Sequence, residues 1–272
     1  MIKLRISEEK DINSLKELFK NVFDENDEAL ELFFKRIFEP EICYVCYDGD
    51  ELISMVYIIP TTLNGRKAGY LYAAATKDEF RGAGIMKGLI HYALSITAQE
   101  VCITLPASDS LYDYYGGLGF KPLTSNTAKL TRAELEDMKK PFEETELVVG
   151  GYCGIRNRVL KDNFLFWNNN FINYAFEYNE LYGAKIIKNN YGYAVAYDEG
   201  ERCYVSEFIC DDRNAPYMIH ALLNVFSNDK FVFHLSPNQK FFGDKSEPER
   251  FAMMKSITGY KPENVYVGLS LE

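Results

Sequence analysis

The chain has little of what a metal site or a nucleic-acid surface needs. It holds only three histidines, at positions 91, 220 and 234, and they are not spaced as metal ligands. Lys and Arg number 30 against 40 Asp and Glu, so the formal net charge is −10. A general nucleic-acid binder needs the opposite balance to neutralise phosphates. The composition therefore predicts neither a metal site nor a nucleic-acid partner.

Long apolar runs are also missing. The longest, residues 53–60, includes Ser54 and Tyr57 and falls far short of the ~20 residues that cross a bilayer. The N-terminus becomes charged at once and has no apolar segment of the kind that directs secretion. We therefore expect a cytoplasmic protein with no membrane partner.

The cysteines do not form a recognisable redox or zinc motif. Cys43 and Cys46 spell C-x-x-C, but no helix start follows them and no second pair is present. A spacing of three on a strand points two side chains to opposite faces. The pattern favours free thiols that pack as small apolar groups.

The first half of the chain alternates between strand-like and helix-like patterns. Apolar residues at helical spacing follow a short strand, and an Asp-Gly turn joins two later strands. The predicted strands cover residues 2–6, 42–47, 52–62, 68–76 and 101–105, and the predicted helices start near residues 12, 27, 85 and 111. The element order is β-α-α-β-β-β-α-β-α-β.

The second half repeats the first in a weaker form. A long aromatic helix over residues 160–182 precedes further strands, and similar segments recur at offsets of 130 to 140 residues, such as Met218 after Met86 (218 − 86 = 132). Similar spacings in the same order indicate duplication of one α/β unit. We predict a first domain over residues 1–125, a charged connector over 126–148 and a second domain over 149–272.

The stretch that carries chemistry is residues 71–86, in which a strand leads to Arg81-Gly82-Ala83-Gly84 and then to a helix. Small residues let the backbone approach a ligand closely. The first turn of the helix presents unpaired N–H groups and the positive end of the helix dipole. Arg81 adds a cation. This pattern is typical of a pyrophosphate site.

The same stretch resembles the acetyl-CoA motif of the GNAT superfamily of N-acetyltransferases, Arg/Gln-x-x-Gly-x-Gly/Ala. Arg81, Gly84 and Met86 occupy its marked positions, and Met86 departs from the Gly/Ala of the family. Residues 108–120 are similar to a second family pattern, Asn-x-x-Ala-x-x-Phe-Tyr-x-x-x-Gly-Phe. Tyr115 falls on its tyrosine, and Ser108 stands in place of Asn.

The resemblance implies an acetyl-CoA site and a catalytic acid. The strand backbone near Thr76 would pair with the pantetheine arm, the N–H groups of residues 82–86 would hold the pyrophosphate, and Tyr115 would protonate the departing thiolate. The coenzyme-binding residues implied in this way are Ala74, Ala75, Thr76, Arg81, Gly82, Ala83, Gly84, Ile85, Met86 and Ser108.

The resemblance also implies the fold class, α/β (α+β), with two GNAT-like domains. Each would be a mixed, mostly antiparallel twisted sheet flanked by helices. In the second domain, residues 211–216 lack glycine and carry two acids that would repel a pyrophosphate, so we expect a degenerate copy. This arrangement is similar to the first two domains of the enhanced-intracellular-survival acetyltransferases.

The expected function is transfer of an acetyl group from acetyl-CoA to a primary amine, small molecule or peptide, by direct attack and without a metal. The acidic residues Asp24, Glu25, Asp27 and Glu28 would attract a cationic acceptor, although acids at a helix start also suit its dipole. Two alternatives stay open: a non-catalytic acyl-CoA-binding regulatory protein, and a transferase of a different acyl or aminoacyl donor. The identity of the amine and homo-oligomerisation are also left open.

Overall fold

The computed structural model describes residues 1–141, 151–269 and 271. It divides into two compact units. The first contains residues 1–122 and 252–261, and the second contains residues 123–251 and 262–271. Ten residues near the end of the chain therefore belong to the first unit.

The helices and strands follow the predicted order closely in the first half. They are β1 (Ile2–Ile6), α1 (Ile12–Phe23), α2 (Asp27–Arg36), β2 (Cys43–Asp48), β3 (Glu51–Leu63), β4 (Arg66–Thr76), α3 (Ile85–Ile96), β5 (Val101–Thr104) and α4 (Asp109–Gly117). The later elements are β6 (Lys121–Thr131), α5 (Arg132–Met138), α6 (Gly151–Leu160), β7 (Leu165–Phe166), α7 (Asn169–Leu181), β8 (Lys185–Asn189), β9 (Gly192–Asp198), β10 (Cys203–Cys210), α8 (Ala215–Val225), β11 (Lys230–Leu235) and β12 (Ser246–Ser256).

The two units share a pattern of strand pairing. In the first, β1 to β4 pair antiparallel in sequence order, β4 pairs parallel with β5, and β5 pairs antiparallel with residues 253–256 of β12. In the second, β8, β9 and β10 pair antiparallel, β10 pairs parallel with β11, and β11 pairs antiparallel with β6. In each unit the strand pairing is mixed and mostly antiparallel, with helices packed on the strands. The predicted fold class is confirmed.

The long aromatic helix predicted over residues 160–182 is wrong. The chain forms two helices there, because α6 ends at Leu160 and α7 begins after Asn168, whose side chain accepts a hydrogen bond from the Phe171 N–H (2.8 Å). Between them, Lys161 and Asn163 adopt the left-handed conformation, with φ of 65° and 53°. Asn tolerates that conformation and caps helices well, and these preferences override the aromatic periodicity.

The segment predicted as a connector begins as regular structure. Residues 126–131 belong to β6 and pair with β11, and a capping box formed by Thr131 and Glu134 then starts α5, as the sequence predicts. The rest of the predicted connector includes residues 142–150, which lie outside the described residues.

The cysteines are free, as predicted, and five of the six are buried. Within the described part of the chain, no group of three or more His, Cys, Asp or Glu side chains is placed to hold a metal ion. No helix among the described residues is long and apolar enough to cross a membrane.

Candidate active site

The site begins with an irregularity in β4. Two residues of β4, Ala73 and Ala74, lie opposite the single residue Val56 of β3, which makes a β-bulge. Ala73 adopts the left-handed conformation, with φ of 47°. That conformation costs a non-glycine residue roughly 1–2 kcal/mol, so the surrounding pairing must hold it in place. A bulge of this kind bends the strand and re-aims the side chains that follow it.

Beyond the bulge, β4 separates from β5. The parallel pairing runs from Ala68 opposite Val101 to Leu71 opposite Thr104, whereas β4 continues to Thr76. Thr104 closes the paired part by donating its side-chain hydrogen bond to the Leu71 carbonyl (3.2 Å). In the described structure, residues 72–76 therefore extend past their neighbouring strand. Their backbone groups on that side can pair with an extended ligand.

The turn that follows β4 leads into α3 with its N–H groups exposed. Gly82 and Gly84 both have φ of 77°, and a Cβ added at either would meet nothing within 4 Å. Within α3, the Gly88 N–H donates to the Gly84 carbonyl (3.0 Å). The N–H groups before Gly88 belong to the first turn of a helix, where no intrahelical acceptor exists. The turn is thus open and carries the partial positive charge that suits an anion.

Two cations flank this turn. Arg81 donates from Nε to the Thr76 carbonyl (3.1 Å) and pairs through Nη2 with Asp78 (2.8 Å), so it fastens the link between β4 and α3. Lys87 lies in the first turn of α3 and is exposed. Sequence reasoning identified Arg81 and missed Lys87.

Helix α4 supplies a buried phenol. Tyr115 is only 6% exposed and packs edge-to-face against Tyr114 and Phe120, with ring centroids 5.3 and 5.5 Å away. Burial raises the pKa of Tyr115 to about 12, and a hydrogen bond with Thr104 opposes part of that rise. Tyr115 is therefore protonated at neutral pH and can act as a proton donor.

These elements surround one cavity of about 510 Å³ in the first unit. Eight of the residues that the sequence predicts for the site line it, and they come from β4, the turn, α3 and α4. They are Ala74, Thr76, Arg81, Gly82, Gly84, Ile85, Met86 and Tyr115. The structure thus brings the strand end, the open turn before α3 and the phenol together.

Comparison with known proteins identifies the domain that holds this cavity. Residues 3–123 match the model of the acetyltransferase (GNAT) domain family. These residues are a GNAT acetyltransferase domain. The match covers 121 of the 272 residues, and it confirms the resemblance seen in the motifs of this domain. No curated protein matches the chain.

Solved GNAT structures share the fold over nearly the whole chain. A GCN5-related N-acetyltransferase from Anabaena variabilis is 14% identical, with a TM-score of 0.70 over 94% of this chain and 73% of its own. One from Kribbella flavida is also 14% identical, with a TM-score of 0.65 over 95% and 72%. Eis1 from Mycobacterium abscessus is 11% identical, with a TM-score of 0.66 over 94% and 74%. At identities of 11–14%, this likeness shows a shared fold alone.

Some predicted coenzyme residues of the GNAT domain do not line the cavity. Ala75 is 1% exposed and lies between the cavity-lining Ala74 and Thr76, so the alternation of the strand turns it to the other face. Ala83 sits in the turn without lining the cavity. Ser108 is exposed, and its carbonyl accepts from the Leu111 N–H (3.0 Å) at the start of α4. Contacts of these three with a coenzyme stay predictions.

Five lining residues were missed by sequence reasoning: Val22, Phe80, Lys87, Leu111 and Tyr114. Tyr114 and Tyr115 lie three and four residues after Leu111 on α4, which places both beside Leu111 on one helix face. That periodicity is a signal that extends the Tyr115 motif. Val22 and Phe80 approach from α1 and from the 3-10 turn after β4, and their positions depend on tertiary packing.

The acidic residues suggested for the acceptor lie apart from the cavity lining. Asp24, Asp27 and Glu28 are exposed, and Asp27 pairs with Lys20. Glu25 is buried, and its carboxylate accepts from the Asn26 N–H (3.2 Å). Asp27 and Glu28 lie in the first turn of α2, where acids suit the helix dipole. Their role toward an acceptor stays a prediction.

In the second unit, β10 and β11 also separate after a short paired segment. Side chains of the same unit form hydrogen bonds with the backbone groups beyond that segment. β10 pairs with β11 only from Cys203 to Val205, and a bulge follows. Beyond it, the Gln239 amide donates to the Phe208 carbonyl (2.7 Å) and accepts from the Ser236 N–H (2.9 Å). Burial lowers the pKa of His234 to about 4, so its ring is neutral. The Nδ1 atom of this ring lies 3.0 Å from the Ser206 carbonyl oxygen.

Proposed function

We propose that the protein is an acetyl-CoA-dependent N-acetyltransferase in which an amine attacks the bound thioester directly. The observation that carries the proposal is the single cavity that joins the free end of β4, the open turn at Gly82 and Gly84, and the Tyr115 phenol. Positioning two substrates in one cavity supplies much of the rate enhancement in a reaction of this type.

The residues around the turn fit a coenzyme with a diphosphate and an extended arm. The N–H groups that open α3, together with Arg81 and Lys87, favour the diphosphate. The backbone of residues 74–76 offers hydrogen bonds to amide groups of the arm. Backbone N–H groups of residues 74–76 can also stabilise the oxyanion that forms when the amine adds to the thioester carbonyl.

Tyr115 is the proposed acid for the leaving thiolate. Its pKa of about 12 exceeds the ~8.5 of a thiol in water, so transfer to a fully hydrated thiolate would be uphill. Burial, however, raises the pKa of a thiol in the same way, and the pKa of buried Cys43 and Cys102 is also about 12. A thiolate that forms beside the buried phenol is desolvated too, which brings the two groups closer in pKa.

The second unit is proposed to be degenerate, with catalysis assigned to residues 1–125. The bridging side chain of Gln239 supports this, since it already engages backbone groups past the end of the β10–β11 pairing. Its helix α8 begins with Ala215 and Pro216, and Pro provides no N–H for an anion. Acidic Asp211 and Asp212 precede it.

The acceptor is proposed to be a primary amine on a small molecule or peptide, and no metal is proposed. A panel of aminoglycosides, polyamines, amino-terminal peptides and lysine peptides, assayed by release of free thiol from acetyl-CoA, tests both the activity and the acceptor class. Thiol release that needs an added amine supports the proposal. Coenzyme binding without turnover on any amine would favour the regulatory alternative, and turnover with another acyl donor alone would favour the other transferase.

Tyr115→Phe tests the assigned acid. General acid catalysis contributes at least about a hundredfold, so we expect kcat to fall by about that factor while the Kd for acetyl-CoA changes little. Tyr114→Phe is the matched control. Tyr114 lines the same cavity, and its hydroxyl has no hydrogen-bond partner within the described residues, so its removal should leave kcat unchanged. Equal kcat for the two variants would remove Tyr115 from the mechanism.

A further inference from the structure

A pair of hydroxyl groups lies where β4 meets the cavity. Ser54 of β3 is directly opposite Thr76 of β4 in the sheet register, and their side-chain oxygens are 2.9 Å apart. Ser54 is fully buried and Thr76 is 8% exposed. Thr76 lines the cavity, whereas Ser54, on the neighbouring strand, is not among the lining residues. A buried hydroxyl at Ser54 is costly unless its hydrogen bonds are satisfied.

The hydrogen-bond pattern fixes the direction of both protons. The Ser54 hydroxyl donates to the Ala75 carbonyl (2.9 Å), which can only accept. Since a serine hydroxyl has one proton, the contact between the two side chains requires Thr76 to donate to Ser54. The proton of Thr76 is therefore directed away from the cavity. Any group that approaches Thr76 Oγ1 from the cavity must itself be a donor.

The backbone of Thr76 is held as firmly as its side chain. Its carbonyl accepts from Arg81 Nε (3.1 Å), and the next residue, Lys77, donates its N–H to the Ile53 carbonyl (3.0 Å). Thr76 Oγ1 thus has a fixed place and a fixed polarity at the end of the free strand edge. An acceptor that is held in this way is pre-organised for a ligand N–H.

We propose that Ser54 is a positioning residue that sets the Thr76 hydroxyl as an acceptor for an amide N–H of the coenzyme's pantetheine arm. The proposal rests on the proposed function, because it assumes that the coenzyme occupies this cavity. The arm contains two secondary amides, and each has one N–H to donate. The diphosphate and adenine end carries no amide, and its phosphates offer only acceptors to Thr76.

The test compares two ligands by calorimetry, coenzyme A and 3′-phospho-ADP, which has the nucleotide and diphosphate but no pantetheine arm. A neutral hydrogen bond contributes modestly, so Thr76→Val should weaken coenzyme A binding roughly threefold to tenfold and leave 3′-phospho-ADP binding unchanged. Thr76→Ser, which keeps the hydroxyl, should restore wild-type affinity for coenzyme A. An equal loss for both ligands, or no loss for either, would overturn the proposal.

The role of Ser54 is tested in combination with Thr76. Ser54→Ala releases the Thr76 proton to rotate toward the cavity, and we expect it to weaken coenzyme A roughly twofold to fivefold. In the Thr76→Val background, Ser54→Ala should have no further effect on the Kd. A further loss of the same size there would mean that Ser54 acts on the fold rather than through Thr76. Melting temperatures of all variants identify any that are unfolded.

Failure of this inference can be told apart from failure of the proposed function. If the wild-type protein binds neither coenzyme A nor 3′-phospho-ADP, the cavity is not a coenzyme site and the proposed function fails. If the wild-type protein binds both ligands and Thr76→Val changes the Kd of both by the same factor, the coenzyme site stands and the proposed Thr76 contact is wrong.

Discussion

Two side chains of the first unit show how burial and hydrogen bonding oppose each other. Burial dominates at Tyr115 and raises its pKa to about 12. Burial would also raise the pKa of Asp11, but hydrogen bonds from Arg5, the Glu8 N–H and Tyr47 outweigh it and lower that pKa to about 2. The two groups differ in the number of hydrogen-bond donors that stabilise the charged form. As a result, the pKa of Asp11 falls while that of Tyr115 rises.

The first prediction concerns the pH dependence of turnover. An acid must be protonated to act, and Tyr115 keeps its proton up to a pH of about 12. An amine acceptor of pKa ~10 must lose a proton first, so kcat/KM should rise with pH up to ~10 and show no falling limb below that. Rates measured between pH ~6 and ~10, with circular dichroism to confirm that the protein stays folded, check this. A falling limb that Tyr115→Phe abolishes would show that the phenol has an ordinary pKa.

The second prediction concerns stability and the Asp11 carboxylate. The pKa of Asp11 in the folded protein, about 2, lies below the ordinary value of 3.8. Ionised Asp11 therefore stabilises the fold above the unfolded pKa, and that contribution is lost as the pH falls through about 2. The shift corresponds to about 2 kcal/mol. Asp11→Asn should therefore lower the free energy of unfolding by about 2 kcal/mol at pH ~7, as measured by urea denaturation.

The control for Asp11 is its exposed neighbour Glu9, in the same 3-10 turn. Glu9→Gln removes one negative charge without breaking a buried contact, so its effect should stay within about 0.5 kcal/mol. The gap between the two variants should narrow below pH ~4, where Asp11 of the unfolded wild type becomes protonated. A gap that does not depend on pH would show that packing, rather than the charge, is responsible.

At the level of elements, the turn into α3 was predictable from sequence and the bulge in β4 was not. Arg81, Gly82 and Gly84 form a local pattern whose conformation follows from glycine itself. Ala73, Ala74 and Ala75 are chemically identical, so nothing in the sequence marks Ala73 for the left-handed conformation. Its position is set by pairing with Val56 across the sheet. The cavity and eight of its lining residues were thus foreseeable, whereas the bulge that shapes the end of β4 was not.

The third prediction uses two glycines of this region as a matched pair. Gly84 has φ of 77°, so Gly84→Ala should destabilise the fold by about 1 kcal/mol and weaken coenzyme binding several-fold. Gly88 lies inside α3, and a Cβ there meets nothing within 4 Å. Gly88→Ala should therefore stabilise the fold by roughly 0.5–1 kcal/mol and leave binding unchanged.

Thermal melting and calorimetric titration with coenzyme A distinguish the two glycine variants. Since both substitutions add the same methyl group, the contrast isolates backbone conformation from side-chain size. Unchanged coenzyme affinity in Gly84→Ala would mean that the turn does not bind the diphosphate, whatever its effect on melting.

At the level of the whole molecule, sequence repetition predicted two domains but not how the chain is shared between the two units of the structure. The strand that pairs with β5 is residues 253–256 of β12, and the pair Val101 and Ser256 is separated by 155 residues (256 − 101). In the second unit, the corresponding place beside β11 is filled by β6, which follows the first unit directly in the chain. Pairing over such distances has no local signal, because either strand satisfies the same hydrogen bonds.

The second unit also determines how many coenzymes one chain can bind. The Gln239 side chain forms hydrogen bonds with the Phe208 carbonyl and the Ser236 N–H. A pantetheine arm bound there would need these backbone groups. The turn before α8 contains Asp211 and Asp212 and lacks the glycines that open α3 in the first unit, and two acids repel a diphosphate. We therefore expect that the second unit does not bind a coenzyme.

The last prediction is that calorimetry gives a single coenzyme A per chain. Gln239→Ala frees both backbone groups, yet the stoichiometry should stay the same, because the acidic turn remains unfavourable to the diphosphate. Gly84→Ala, which alters the turn of the first unit, should weaken that single site and leave no tight site behind. Two sites in the wild type would show that the second unit also binds coenzyme, which would contradict its assignment as a degenerate copy.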